Sequence, residues 1–199
     1  MISNDIFKIK GETQSKWGIG ANLITHNRQR EYTKELLKIA DAEGSITKVL
    51  DCPSGSGRMV DLLLSWQVTC ADVSKRRLEK VKKYFPNDEI VIKECDVFDL
   101  PFNNNEFDLI LNFLLIQHID KSKLGLMLKE LHRVTARWLL ATYPSYFALA
   151  NLFRYKNKKT MLTKKEFSNL VSDAGFRIVE SRRTLPFIAN GNIVLLEKI

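Results

Sequence analysis

Three aspartates in this chain are spaced to hold a nucleoside. Asp51 follows an apolar run over 46–50 and opens the small-residue stretch Cys52-Pro53-Ser54-Gly55-Ser56-Gly57. Asp72 comes 21 residues later, in Cys70-Ala71-Asp72-Val73-Ser74. Asp96 ends a third apolar run, in Glu94-Cys95-Asp96-Val97. A strand that breaks into a glycine-bearing loop and opens a helix brings backbone close to a ligand and offers it free N–H groups. An acid about 20 residues further on, at the carboxyl end of the next strand, is placed to accept both ribose hydroxyls. A third acid on the neighbouring strand can accept from the exocyclic amine of adenine. In an open parallel sheet these carboxyl ends line one crevice.

The elements that must position them alternate along the chain. Stretches 46–51, 67–72, 89–95, 107–113 and 137–143 read as strands, and 57–66, 74–85, 121–134 and 163–174 as helices. The last helix carries a capping box, Thr163 with Glu166, and a glycine stop at Gly175. Two closing strands, 176–185 and 191–198, have no helix between them and are expected to be antiparallel. Near-continuous apolar strands separated by helices predict an α/β fold: an open, mostly parallel seven-stranded sheet with helices on both faces and an antiparallel last strand. At 199 residues the chain reads as a single domain over 1–199. Segment 1–42 reads as an N-terminal arm and helix that lids the cofactor, with Trp17-Gly18-Ile19-Gly20 at its turn, and 144–162 as an insertion over the substrate.

With these motifs in register, the chain resembles the class I S-adenosylmethionine-dependent methyltransferases over roughly residues 40–199. The family's acid-x-Gly-x-Gly-x-Gly loop falls on Asp51 to Gly57. Its ribose acid falls on Asp72, with Val73 against the adenine, and its adenine-amine acid on Asp96, followed by Val97. Its fourth-strand pattern matches Phe107-Asp108-Leu109-Ile110, with Asn112 near the methionine part. The resemblance implies S-adenosylmethionine as cofactor, bound by Asp51, Cys52, Pro53, Gly55, Gly57, Asp72, Val73, Asp96, Val97 and Asn112. One departure stands out: Pro53 replaces the first glycine and has no N–H to donate, so close backbone contact is expected from Gly55 and Gly57. A nicotinamide dehydrogenase, the rival on the same physics, needs a further glycine three residues after Gly57, where Val60 stands.

Methyl transfer from a sulfonium needs alignment above all, and a general base only where the nucleophile carries a proton. His118, in Gln117-His118-Ile119-Asp120 just past the fourth strand, is the candidate base, the other reading being a structural histidine at the next helix. Tyr143 either lines the substrate side or is core. His26 and His132 receive no role. No metal-ligand cluster is visible. Asn112-Phe113-Leu114-Leu115 lacks the Pro-Pro-aromatic loop of nucleobase amino methylation, and no Pro-Cys loop for cytosine C5 methylation exists.

Composition supplies the outer bounds. Three cysteines without a C-x-x-C pair indicate neither a disulfide framework nor a zinc site, so a reducing, cytoplasmic setting is expected. No apolar run reaches the length of a membrane span, and the first residues lack the layout of a signal peptide. The net charge of +8 is concentrated in 75–83 and in 154–165, which holds six basic residues and no acid. Both read as solvated faces, with RNA, anionic lipid or an acidic substrate as the remaining readings. The apolar-then-basic stretch 146–159 suits an amphiphilic substrate or a membrane surface. The expected acceptor is a small hydrophobic or anionic molecule. RNA methylation and an inactive cofactor-binding partner subunit are the alternatives.

Overall fold

The computed structural model describes residues 19–144, 161–185 and 189–199. The arm over 1–18 and most of the 144–162 insertion, including the stretch 146–159, lie outside the described residues. Seven strands form one sheet: β1 (Lys48–Asp51), β2 (Gln67–Asp72), β3 (Ile90–Glu94), β4 (Phe107–Asn112), β5 (Thr135–Tyr143), β6 (Phe176–Leu185) and β7 (Ala189–Lys198). Four α-helices accompany it: α1 (Ile19–Ala40), α2 (Lys75–Tyr84), α3 (Leu124–Val134) and α4 (Lys164–Asp173). The strand order is β3-β2-β1-β4-β5-β7-β6. β1 to β5 run parallel, and β7 is antiparallel to both β5 and β6. The strand order reverses between β1 and β4, and this is where an open sheet leaves a crevice.

The apolar strands are continuous because both faces are covered. Along β4, Leu109 and Leu111 point into the core shared with α1 and α2, and Ile110 into the core shared with α3 and α4. β7 alternates the same way, with Ile193 and Leu195 on one side and Val194 and Leu196 on the other. α3 buries Leu124, Met127, Leu128, Leu131 and Val134, the stripe that helical periodicity demands. Each such side chain is worth roughly 1.5–3 kcal/mol when fully withdrawn from water. α2 buries only Leu78 and Val81 and presents the rest of its charged sequence outward.

Polar side chains set the register at the far end of the sheet. Asp108 on β4 accepts from the Thr47 N–H at 2.8 Å, the Thr47 hydroxyl at 2.7 Å and the Lys48 N–H at 2.9 Å, pinning the start of β1. Burial would push this carboxyl up, but the donors from Lys48 and Thr47 outweigh it and hold the pKa below the usual value. The capping box at α4 is formed: Thr163 Oγ1 accepts from Glu166 N at 3.1 Å, and Glu166 Oε2 accepts from Thr163 N at 2.8 Å. Tyr143 stacks on Phe167 with 3.8 Å between ring centroids and is 6% exposed, which makes it core.

One expected element is different. The stretch 57–66 holds turns and a short 3-10 helix, Val60–Leu62, instead of an α-helix. Its bonds span three residues: Leu62 N to Met59 O at 2.9 Å, Leu63 N to Val60 O at 2.9 Å and Trp66 N to Leu63 O at 3.0 Å. Arg30 Nη1 of α1 donates to the Arg58 carbonyl at 3.1 Å, so this acceptor, which an α-helix would pair with Leu62 N, is met from outside the segment. The same guanidinium forks onto both oxygens of Asp61. The periodicity of Met59, Val60 and Leu63 records burial, since all three lie in the core under α1, but not an α-helical backbone.

Candidate functional site

The carboxyl ends of β1, β2 and β4 meet at the reversal in strand order. Cys52 N donates to Leu111 O at 2.9 Å, carrying the chain from β1 over the end of β4. Asn112, fully buried, donates from Nδ2 to the Cys52 carbonyl at 2.7 Å. Its Oδ1 is enclosed and has no hydrogen-bond partner. An orphaned acceptor at the crevice is the kind of atom that a bound donor would satisfy.

The glycine loop is folded onto β2. Ser54 N donates to Ala71 O at 2.8 Å, and Gly55 N donates to Asp72 Oδ2 at 3.0 Å. The other oxygen of Asp72 accepts from Ser74 N at 2.9 Å. Asp72 is 2% exposed, and each of its oxygens keeps a lone pair beyond the bonds just named. Gly55 has φ +57 and no atom within 4 Å of where a Cβ would stand, so its open side faces free space. Gly57 differs: at φ +82 its Cβ would meet Phe85 Cε2 at 3.1 Å and Val81 Cγ2 at 3.4 Å. Its glycine identity is explained by packing against α2. The Cys52–Pro53 peptide is cis, and Pro53 is half-buried.

The electrostatics of the crevice are set by burial. Asp51 is 2% exposed, and its pKa is raised from 3.8 to about 8 by burial, then by the Asp72 carboxylate, with Arg58 opposing. Arg58 is lowered to about 10 by burial and by the Arg30 charge, with Asp51 opposing. Cys52 is pushed well up by burial and then by Cys95 and the nearby aspartates, so it is no thiolate nucleophile.

Other sequence-selected residues are more dispersed. Val73 is 65% exposed at the rim next to Asp72. Asp96 is exposed and closes a local turn, accepting from Phe98 N at 3.1 Å through Oδ1. Val97 is buried in the α3 and α4 core, away from solvent. His118 is exposed in the 3-10 turn Ile116–His118 that follows β4, so it shares the carboxyl-end side of the sheet. Leu114, between Asn112 and that turn, has φ +57 and donates its N–H to Thr142 Oγ1 at 2.7 Å. A leucine in this region costs roughly 1–2 kcal/mol, the sort of local strain that functional loops carry. His132 lies on α3 with its ring edge-on to Phe176 at 5.1 Å, a packing role. Sequence reading gave no role to Arg58, Gln29 or Arg30, which pack beside the loop; the only signal was the position of Arg58 directly after Gly57. Among the described residues no group of three or more His, Cys, Asp or Glu side chains is arranged to hold a metal ion. No described helix is long and apolar enough to cross a membrane.

Residues 49–137 match the methyltransferase domain family. The chain is 34% identical over 91 residues to the ubiquinone/menaquinone biosynthesis C-methyltransferase UbiE of Desulfotalea psychrophila; the match covers 44% of this chain and 36% of that protein. The chain thus spans about a third of the length of that relative. Among solved structures, the magnesium protoporphyrin IX methyltransferase of Synechocystis with bound S-adenosylhomocysteine superposes with a TM-score of 0.75 at 14% identity, covering 98% of this chain and 93% of that one. The 1,6-didemethyltoxoflavin-N1-methyltransferase of Burkholderia thailandensis does so with a TM-score of 0.64 at 15% identity, covering 94% and 93%. At such identities the superpositions establish the fold. The architecture is the Rossmann-like fold of class I methyltransferases. The matched segment, residues 49–137, carries β1 to β4, α2, α3 and the start of β5.

Proposed function

We propose that this protein transfers the methyl group of S-adenosylmethionine to a small hydrophobic or anionic molecule. One observation carries the reading. At the reversal in strand order, the glycine loop is tied to Asp72 through Gly55 N, and Asn112 holds the loop carbonyl of Cys52 while its Oδ1 lacks a partner. The residues fit a nucleoside joined to an amino acid. Asp72 has lone pairs left for ribose hydroxyls, and exposed Val73 offers an apolar edge for adenine. Asp96 keeps Oδ2 outside its own turn, available to the adenine amine. Gly55 leaves room for close approach, and Asn112 Oδ1 and Asp51 are acceptors for the amino-acid end. When bound, S-adenosylmethionine supplies a methyl carbon already activated by its positive sulfur.

The work of the chain is then to position. The loop and the ends of β1, β2 and β4 fix the donor, and alignment with the acceptor accounts for most of the acceleration. His118, exposed beyond β4, is the group that would take a proton from an acceptor hydroxyl or amine. Support for a small acceptor comes from the neighbours, which include a porphyrin methyltransferase and a toxoflavin-precursor methyltransferase.

Incubation of the protein with a metabolite extract and methyl-labelled S-adenosylmethionine should label a small molecule. An inactive partner subunit would bind the nucleoside and label nothing. A second reading, RNA methylation, is favoured by α2, whose exposed face carries Lys75, Arg77, Lys82 and Lys83. It requires RNA binding whose affinity falls steeply with salt.

A further inference from the structure

We infer that Arg183 holds an anionic group, a carboxylate or a phosphate, of the methyl acceptor. The inference rests on the proposed methyl transfer and makes its acceptor an anion. Arg183 lies on β6, which runs in the same direction as β5 because both pair antiparallel with β7. Its register partner on β7 is Asn192, whose own partner on β5 is Tyr143. The three residues form one row at the carboxyl end of β5, two residues past Ala141, the partner of Asn112 on β4. Directly paired residues share a face of the sheet. Here it is the α4 face: Tyr143 stacks on Phe167 of α4, and Val194, two residues from Asn192, lies in the same core. Arg182 marks the opposite face, since its Nε donates to Glu35 of α1 at 3.2 Å. The turn that carries His118 sits on the α4 face too, with Ile116 in that core.

Pairing sets Arg183 apart from the other arginines of β6. Arg177 meets Glu197 at 2.6 Å, and Arg182 meets Glu180 at 2.8 Å and Glu35 at 3.2 Å. Arg183 is exposed, and among the described residues no carboxylate lies within ion-pair distance of it. A guanidinium presents a planar fork of donors that matches the oxygens of a carboxylate or phosphate. Burial raises the pKa of the Tyr143 phenol and the Arg183 charge draws it partly back, in keeping with the row that the register sets. The row therefore offers a cation and a neutral amide beside a stacked aromatic pair. β4, which leads into the His118 turn, lies three strand spacings from β6, about 14 Å. An acceptor lying along the row would present its reacting atom toward β4 and its anion to Arg183. The anion held is then not the atom methylated, and the product keeps its negative charge.

The test follows the charge of the product. Methyl-labelled S-adenosylmethionine is incubated with the wild type and a small-molecule extract, and the products are passed over an anion exchanger at neutral pH. Retention of the label is expected. Release by phosphatase would identify the anion as a phosphate and continued retention as a carboxylate; either supports the inference. Arg183→Gln should slow labelling about tenfold in dilute extract, with the deficit shrinking as the extract is concentrated. It should bind S-adenosylhomocysteine within about twofold of the wild type by calorimetry, which shows that the variant is folded. Arg183→Lys should restore part of the rate, since a point charge replaces the fork. A neutral labelled product would overturn the inference and leave methyl transfer standing, as would full labelling by Arg183→Gln. Weakened S-adenosylhomocysteine binding by Arg183→Gln would overturn it too, because the residue would then serve the fold or the donor. No labelled small molecule from the wild type would instead overturn the transfer reading itself, and this inference with it.

Discussion

Asp51 holds its proton in the folded chain over a pH range in which an unfolded chain has released it. Its pKa stands at 3.8 unfolded and about 8 folded, raised first by burial and then by Asp72. Between those values the folded state binds the extra proton. This contribution to stability is therefore complete below 3.8 and is lost as pH rises through about 8. The slope within that window is roughly 1.4 kcal/mol per pH unit. Urea melts of the wild type and of Asp51→Asn, run across this range, should show the slope shrinking in the variant. Parallel profiles would mean that Asp51 is not the titrating group. The two glycines separate by the same kind of reading. Gly57→Ala meets Phe85 at 3.1 Å and a left-handed φ, so it should cost stability by about 1–3 kcal/mol. Gly55→Ala has open space and only the backbone cost of roughly 1–2 kcal/mol, but on the proposed function its methyl group would stand on the ligand side. Its larger effect should be on S-adenosylhomocysteine affinity, read by calorimetry against the thermal melt.

At the scale of elements, α1 and α4 make opposite points. The capping box of α4 was readable in Thr163 and Glu166, because a local side-chain motif competes with nothing outside its own turn. Thr163→Ala should lower stability by about 1 kcal/mol, measured by chemical denaturation. The stretch after the glycine loop reads as a helix because Met59, Val60 and Leu63 are spaced for burial, whereas its backbone bonds span three residues and its Arg58 carbonyl is met by Arg30, 28 positions upstream. No local pattern records such a partner. Arg30→Met removes that donor and leaves Asp61, which is 12% exposed, without its cation; a loss of about 1–3 kcal/mol is expected in the same denaturation series. Strand positions were legible because Leu109, Ile110 and Leu111 must satisfy two cores at once, which leaves an unbroken apolar run. The three aspartates were legible as strand-end acids, but their environments were not. Asp72 is enclosed by its own loop, Asp96 lies exposed in a turn, and Asp51 is buried beside a cation, differences that depend on packing between distant segments.

In the whole molecule the strand order reverses beside the glycine loop, with α1 braced over the loop and the antiparallel β5, β7 and β6 closing the far side; on the reading proposed above, this is where a nucleoside is held. The same fold binds many substrates through its loops, so in the proposed function the loop after β1 accounts for the donor, and the acceptor follows from turnover. The distinction from a dinucleotide site is tested most directly by calorimetric titration of the wild-type chain with S-adenosylhomocysteine and, separately, with NAD. Saturable binding of S-adenosylhomocysteine with no heat from NAD is the expected result. Binding of NAD without S-adenosylhomocysteine would contradict the methyl-donor cradle.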